Sequence, residues 1–234
     1  MAELLYEGKA KQVYKTEKED EYLIHYKDDA TAGNGVKHDK FEGKGVLNNT
    51  ISCIIFDMLE EAGIKTHMIK KLNERDILVK KVDIFPLEVI IRNITTGSFC
   101  RRLGAPEGIV LDEPIFEMSY KNDEYGDPLI NDDHADALKL ATREELAYIK
   151  ETTLKINELL KEFFLSMNLK LVDFKIEFGK TADGTILLAD EISPDSCRLW
   201  DVDTNQKYDK DVFRQDIGDL IETYKAVLAR MQNK

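Results

Sequence analysis

The sequence predicts an α+β fold: two lobes built on mainly antiparallel sheets, with flanking helices. The chain opens with short β-favouring runs, and helix and strand patterns then follow in mixed order. A strict two-residue alternation over 171–178, an Asp-Gly turn and a second apolar run indicate an antiparallel hairpin. Because 234 residues suit one domain or two small lobes, we place the lobes at 1–82 and 83–234.

The first lobe is expected to begin with three strands, at Leu4–Tyr6, Gln12–Thr16 and Tyr22–Tyr26. Asp28–Gly45 contains four glycines and no periodicity, which predicts a long loop. A helix ending at Gly63 follows. Its apolar positions recur at three-or-four spacing: Leu47, Ile51, Ile54, Met58 and Ala62. Further strands are predicted at His67–Leu72, Asp76–Val82 and Leu87–Arg92.

The second lobe is expected to have an irregular, acidic segment at Gly104–Ala141. A helix then starts at Thr142, where Glu145 completes a capping box. Its inward stripe is predicted to be Leu146, Ile149, Thr153, Ile156, Leu160, Phe163 and Met167. The hairpin strands are Leu171–Phe178 and Ile186–Ile192. One last helix, capped by Asp209, carries the stripe Phe213, Ile217, Leu220, Tyr224, Leu228 and Met231.

Composition excludes several classes of function. A net charge of −12 disfavours binding to a nucleic-acid backbone, and apolar runs of only a few residues give no membrane span. The Met1–Glu3 start carries no signal-peptide pattern. Three widely spaced cysteines, Cys53, Cys100 and Cys197, suit reduced thiols in the cytoplasm.

The late hairpin carries the strongest chemical signal. Asp173, Lys175 and Glu177 alternate with apolar residues, and the next strand ends in Asp190 and Glu191. Buried carboxylates need a cation, and Mg²⁺ suits clustered oxygen ligands. A solvent-exposed face or plain salt bridges are the alternative interpretation. The sequence leaves open whether Glu177 and Asp190 meet.

Two basic segments could bind phosphates. Lys9 and Lys11 follow a glycine in a turn between two strands, although no Walker, dinucleotide or protein-kinase signature occurs. Arg92 ends an apolar strand just before Gly97–Ser98, which suggests a phosphate pocket, with pairing to nearby Glu88 as the alternative. Arg198 could join Arg92 on one phosphate.

Four segments together closely resemble the SAICAR synthetase family, in its compact single-function form. They are Tyr6–Lys11, Pro86–Ser98, Leu171–Gly179 and Asp190–Trp200, and the resemblance covers essentially the whole chain. It implies a fold related to ATP-grasp and kinase-like nucleotide sites, with ATP between the lobes. The implied activity joins L-aspartate to the carboxylate of carboxyaminoimidazole ribotide (CAIR), giving SAICAR, ADP and phosphate. Mg²⁺ and a homodimer are also implied.

The resemblance assigns roles to individual positions. Nucleotide contacts fall on Lys9, Ala10, Lys11, Val13, Lys80, Lys81, Val82, Glu177 and Asp190. Glu177, Asp190 and Asp127 would hold Mg²⁺, and Arg92, Ser98 and Arg198 the ribotide phosphate. The catalytic candidates are Lys11, Asp173, Lys175 and Asp195.

The expected mechanism passes through an acyl phosphate, which needs positioning and charge neutralisation rather than a protein nucleophile. Asp173 and Asp195 are equal candidates for taking the proton of the aspartate amine, and Asp195 could instead bind sugar hydroxyls. Lys37, Lys40, Lys44 or Arg101 could bind the aspartate carboxylates.

Two other functions stay open at this point. One is a kinase that transfers phosphate to a hydroxyl, and the other is a nucleotide-binding scaffold without catalysis. A site that has lost its catalytic activity has no reason to keep Lys11, Lys175, Glu177 and Asp190, and their presence argues against a scaffold. Release of ADP that depends on both aspartate and the ribotide would separate all three.

Overall fold

The computed structural model describes residues 3–32 and 37–233, and two antiparallel sheets organise it. The first sheet has five strands in the order β1-β2-β3-β7-β6. Its strands are β1 Leu4–Glu7, β2 Lys11–Lys15, β3 Glu21–Tyr26, β6 Met68–Lys71 and β7 Asp76–Lys80. The predicted strands of the first lobe are therefore confirmed.

The second sheet is centred on one long strand, β12. Its order is β11-β10-β9-β12-β13, and β14 and β8 also pair with β12. The bounds are β8 Asp83–Ile84, β9 Leu87–Ile94, β10 Val110–Tyr120, β11 Leu129–Ile130, β12 Leu169–Lys180, β13 Ile186–Ala189 and β14 Cys197–Asp201. The α+β fold with mainly antiparallel sheets is confirmed, whereas the division into lobes near residue 82 stays a prediction.

The helices cover the sheets. They are α1 Lys44–Glu61, α2 Gly97–Leu103, α3 Asp132–Ala137, α4 Arg143–Leu165, α5 Asp211–Arg214 and α6 Leu220–Gln232, with a 3-10 turn at Asp123–Tyr125. Helix α4 packs on β12 and β9, and all seven residues of its predicted stripe are buried. Thr142 caps it through the predicted capping box. Within the described ranges, no helix combines the length and apolar character needed to cross a bilayer.

The prediction of a continuous loop at Asp28–Gly45 is wrong. β4 Asp29–Ala32 and β5 Lys37–Lys40 form a separate two-stranded sheet, and α1 already begins at Lys44. Residues 33–36 of that segment lie outside the described residues. The residues of β4 and β5 are polar or small, so this strand pair lacks an apolar signature and its sequence resembles a loop.

The prediction of an irregular segment at Gly104–Ala141 is also wrong. It contains β10, an eleven-residue strand, and β11 and α3 follow. Pro114 and two preceding acids interrupt the strand pattern, and the register to β9 shifts between Val110 and Ile115. A strand tolerates proline at such an irregularity because no ladder hydrogen bond is lost there.

The last predicted helix is two helices. Asp216 has a φ of 54° and Gly218 follows, so the chain breaks between α5 and α6, and Ile217 is exposed. Asp219, rather than Asp209, caps α6 by accepting a hydrogen bond from the Glu222 amide. The Asp209 carboxylate is instead buried and accepts the amide of Leu199.

Candidate active site

Strand β12 and its neighbour β13 bring two carboxylates to one ammonium. The register pairs Glu177 on β12 with Ala189, the last residue of β13. Asp190 is the next residue along the chain, so it lies close to Glu177. Lys175 Nζ lies 2.8 Å from Glu177 Oε1 and 3.6 Å from Asp190 Oδ2. The question left open by the sequence is therefore answered, because both carboxylates contact the same lysine.

The glycine-lysine turn between β1 and β2 delivers a second lysine to this place. Lys11 Nζ pairs with Asp190 and lies 3.7 Å from Glu191 Oε2. Burial alone would lower the pKa of Lys11, but Asp190 and Glu191 outweigh burial and raise it above its usual range. On the same turn, Lys9 Nζ bonds Asp123 Oδ1 at 2.8 Å, so the turn reaches across to the segment after β10.

Two further charged residues belong to the cluster and were not predicted. Lys121 Nζ lies 2.5 Å from Glu177 Oε2, and Glu88 Oε1 lies 3.6 Å from Lys175 Nζ. Burial raises the pKa of Glu88. The period-two pattern of β9 could have flagged Glu88 as facing the same side as Arg92, but Lys121 sits at the end of the strand that was missed.

The carboxylate oxygens of this cluster are suitable ligands for Mg²⁺, although they do not form a complete coordination shell. Among the described residues, no preformed group of three or more metal-ligating side chains occurs. The carboxylates of Glu177 and Asp190 are held by lysines, and the buried Glu191 Oε2 has no hydrogen-bond partner in the described chain. Clustered carboxylate oxygens are typical of a magnesium site, and here they lie beside the glycine-lysine turn that the sequence predicts to bind phosphates. Asp127 lies close enough to Glu88 to affect its pKa.

Three neighbouring strands assemble an arginine cluster. Asp173 on β12 is in register with Arg92 on β9 and Arg198 on β14. Asp173 Oδ2 accepts from Arg92 Nη1 at 2.9 Å and from Arg198 Nη1 at 2.8 Å. Ser98 Oγ accepts from Arg92 Nη2 at 3.0 Å, so all three predicted phosphate ligands meet.

The alternative pairing of Arg92 with Glu88 is wrong. Four residues along a strand span about 13 Å, too far for an ion pair. Arg92 Nε instead bonds Glu117 Oε2 at 2.7 Å, and Arg102 Nη2 bonds Glu117 Oε1 at 2.6 Å. Glu117 lies on β10 and Arg102 on α2, two elements that the sequence pattern did not predict.

Asp195 is the centre of a buried network. Its Oδ2 accepts from Lys44 at 2.6 Å and from Lys210 at 3.3 Å, while its Oδ1 accepts from Tyr224 at 2.5 Å. Burial would raise the pKa of Asp195, but the two lysines lower it well below its usual range. Sequence reasoning missed Tyr224 and Lys210 because no local pattern links α6 to this loop.

The remaining residues predicted to contact the nucleotide have partners in the structure, but these contacts do not test that role. The Lys80 side chain bonds the Thr66 carbonyl at 3.4 Å, and the Lys81 amide bonds the Asp20 carbonyl at 2.7 Å. Val82 packs against Gly179, and Val13 lies against the main core. The Ala10 carbonyl accepts from the Lys27 amide at 2.8 Å. Their nucleotide role stays a prediction.

Comparison with known proteins identifies the family. The SAICAR synthetase family profile matches residues 4–231. Phosphoribosylaminoimidazole-succinocarboxamide synthase from Finegoldia magna is 67% identical over 98% of this chain and 99% of its own length. The same enzyme from Caldanaerobacter subterraneus is 61% identical over 98% of this chain and 97% of its own length.

Solved structures agree with the sequence comparison. A SAICAR synthetase in complex with ADP superposes with a TM-score of 0.95 at 50% identity, covering 98% of this chain and 97% of that one. The phosphoribosylaminoimidazole-succinocarboxamide synthase of Ehrlichia chaffeensis gives 0.96 at 45% identity and 98% coverage of both chains. The chain belongs to the SAICAR synthetase family.

Proposed function

We propose that this chain joins L-aspartate to the carboxylate of CAIR at the expense of ATP, giving SAICAR, ADP and phosphate. One observation carries the proposal. Alternate residues of β12 link an arginine cluster, through Asp173, to a lysine–carboxylate cluster, through Lys175 and Glu177. On this assignment, the site for the phosphorylated substrate and the site for the metal–nucleotide complex would lie side by side on one strand.

The lysine–carboxylate cluster is the nucleotide end of the proposed site. Glu177 and Asp190, with Asp127, would hold Mg²⁺, which when bound neutralises the triphosphate and its departing diphosphate. Lys11 and Lys175 now neutralise these carboxylates. If these carboxylates held the metal, the ammonium groups of Lys11 and Lys175 would be available to phosphate oxygens. Lys9, Ala10, Val13 and the backbone of 80–82 would border the nucleotide.

The arginine cluster is the ribotide end. Arg92, Arg198 and the Ser98 hydroxyl converge, and two guanidinium groups suit a dianionic phosphate. In the described structure Asp173 balances both guanidinium groups. A bound phosphate would take over that role and free the Asp173 carboxylate.

The chemistry then follows in two displacements. A carboxylate oxygen of CAIR attacks the γ-phosphorus, the bond to the bridging β–γ oxygen breaks, and ADP leaves. The neutral amine of aspartate attacks the acyl carbon, and inorganic phosphate leaves with the electron pair of its C–O bond. Since three donors and a low pKa make Asp195 a weak base, we assign the amine proton to Asp173.

We also propose that the enzyme acts in the cytoplasm as a homodimer. The family's place in purine biosynthesis and the three unpaired cysteines, Cys53, Cys100 and Cys197, support the cytoplasmic location, and the homodimer rests on the family resemblance alone.

The test is a turnover assay with the purified chain. ADP release should require Mg²⁺, CAIR and L-aspartate together, and mass spectrometry should find SAICAR. Lys175→Met should lower kcat by about 100-fold or more, because a charge aimed at the transferred group is lost. The surface control Lys225→Met, which removes only a pair with Glu222, should keep the wild-type rate. Release of ADP without aspartate, into a phosphorylated product, would contradict the proposal in favour of a kinase.

A further inference from the structure

Aspartate is a dicarboxylate, so the proposed reaction needs at least one cation for it at close range. The structure excludes two of the four cationic side chains that the sequence suggests for binding the aspartate carboxylates. Lys44 is 0% exposed and bound to Asp195 at 2.6 Å. Lys37 Nζ is bound to the Phe213 carbonyl at 2.6 Å and to Asp216 at 2.5 Å. The remaining two, Lys40 and Arg101, are exposed and contact none of the site residues in the described chain.

Two other cations stand one helical turn apart, and the first of them, Lys210, contacts Asp195. Lys210 precedes α5 and Arg214 ends it, and the Arg214 amide bonds the Lys210 carbonyl at 3.0 Å. Residues at this spacing lie on the same face of a helix. Lys210 is anchored in place because its amide bonds the Pro194 carbonyl, also at 3.0 Å.

Both side chains have donors to spare. Lys210 Nζ shares Asp195 Oδ2, at 3.3 Å, with the closer Lys44. Arg214 uses only Nη1, which bonds Asp211 Oδ1 at 2.7 Å. Among the described residues, their remaining N–H groups have no acceptor at hydrogen-bond distance. The Lys210 side chain is 11% exposed and that of Arg214 is 34% exposed, so both reach the surface that Lys44 does not.

The electrostatics agree with a place for an anion. Burial lowers the pKa of Lys210, and the cations of Lys44 and Arg214 lower it further against the opposing effect of Asp195. The repulsion between these cations is reduced when a carboxylate binds between them. The location is also suitable for a substrate of the proposed reaction, because Asp211 links Arg214 to the arginine cluster. Asp211 bonds Arg214, and its Oδ2 accepts from Arg198 Nε at 3.0 Å.

We infer that Lys210 and Arg214 bind the two carboxylates of L-aspartate and thereby set the amino-acid specificity of the ligase. The inference rests on the proposed function. Each cation would contact one carboxylate, and the amine would point toward the ribotide end between Asp195 and Arg198. Asparagine, which lacks one of the two charges, would be a poor substrate.

The test compares Lys210→Met and Arg214→Met with the wild type. Each should raise the KM for L-aspartate about 10- to 100-fold, since a hydrogen bond to a charged group contributes about 1.5–3 kcal/mol. The KM values for ATP and CAIR should change less than about threefold. The preference for aspartate over asparagine, measured as a ratio of kcat/KM, should fall about tenfold in at least one variant.

The matched control is Lys225→Met. Lys225 is an exposed lysine of α6 that pairs with Glu222 and has no ion pair or hydrogen bond with Asp195, Lys210, Asp211 or Arg214. Its loss should leave the KM for aspartate unchanged. Thermal melting and ADP titration calorimetry establish that each variant is folded. Should a methionine variant fail to fold, Lys210→Gln and Arg214→Gln decide by the same measurement.

The outcomes separate the two proposals. If the wild-type chain releases no ADP in response to aspartate, the proposed function itself fails. If the wild type is active but folded Lys210 and Arg214 variants keep its KM for aspartate and its preference over asparagine, the subsite is wrong and the proposed function stands. Lys210→Arg should restore most of the lost affinity, and a failure to do so would also contradict the charge-based role.

Discussion

At the scale of single residues, Gly97 shows how tightly the arginine cluster is built. Its φ is +57°, and a Cβ placed on it would lie 2.7 Å from Arg198 Nη2. We expect Gly97→Ala to displace the Arg198 guanidinium. The KM for CAIR should rise about 10-fold or more, as for loss of a charged hydrogen bond, while the KM for ATP stays within about threefold. Steady-state kinetics with each substrate varied in turn measures both.

The control for this change is Gly108→Ala. Gly108 also has a positive φ, +89°, but a Cβ there would meet nothing within 4 Å. It therefore reproduces the backbone strain of about 1 kcal/mol without the contact with an arginine. Equal effects of the two substitutions on the KM for CAIR would show that strain, and not displacement of Arg198, is responsible.

The sequence located many of these residues because local rules govern them. Period-two alternation placed Asp173, Lys175 and Glu177 on one side of a strand, and an apolar run ending in Arg92 pointed to the phosphate pocket. Lys44 and Asp195, by contrast, are 151 residues apart along the chain. No local pattern couples such positions, so the sequence offers Lys44 as one of four candidates for the aspartate carboxylates, although its side chain is fully buried against Asp195.

At the scale of elements, the capping box of α4 tests whether helix ends contribute to stability independently of the site. Thr142 Oγ1 accepts the Glu145 amide, and Glu145 Oε2 accepts the Thr142 amide. Thr142→Ala should lower the free energy of unfolding by about 1 kcal/mol, with kcat and all KM values unchanged. Urea denaturation at constant slope measures the change.

Glu151→Ala is the comparison for that prediction. Glu151 is exposed on the same helix and pairs only with Lys155, four residues later. Water and salt screen such an exposed pair, so the substitution should cost less unfolding free energy than loss of the cap. Equal losses of unfolding free energy in the two variants would contradict a specific contribution of the cap to stability.

Helices and strands were predictable from the sequence where a single pattern was strong. A stripe of seven apolar or small positions and a capping box defined α4, and the structure buries the whole stripe. Strand β10 has no such signal, because Pro114 and its acidic neighbours interrupt it and pairing with β9 decides its conformation. The break between α5 and α6 likewise depends on one left-handed residue, Asp216.

At the scale of the whole molecule, buried ion pairs tie helices to the loop between β13 and β14. Asp195 contacts Lys44 on α1 and Tyr224 on α6, and α1 also packs on α6. Breaking a buried pair leaves an uncompensated charge, so these contacts hold the loop and the helices in one arrangement. The aspartate subsite proposed above depends on this arrangement, since Lys210 shares Asp195 Oδ2 with Lys44.

A buried acid in the same region makes the stability of the whole molecule depend on pH. Asp209 is 0% exposed, and burial, with nearby Asp211 adding to it, raises its pKa from 3.8 to about 7. Between these two values the folded chain keeps a proton that the unfolded chain has released. The stability that Asp209 provides is therefore complete below pH 3.8, falls by about 1.4 kcal/mol per pH unit as pH rises to 7, and then levels off.

Asp209→Asn removes this titration, so the difference in unfolding free energy between wild type and variant should shrink steadily from pH 4.5 to 7. Asparagine keeps one acceptor for the two amides that Asp209 now bonds, Leu199 and Asp211, so the variant should start out less stable at acid pH. Chemical denaturation at several pH values measures the difference, with the exposed Asp20→Asn as the surface control. Parallel stability curves for wild type and Asp209→Asn would mean that the buried acid is already ionised and that its burial is balanced by Arg198 and the backbone amides.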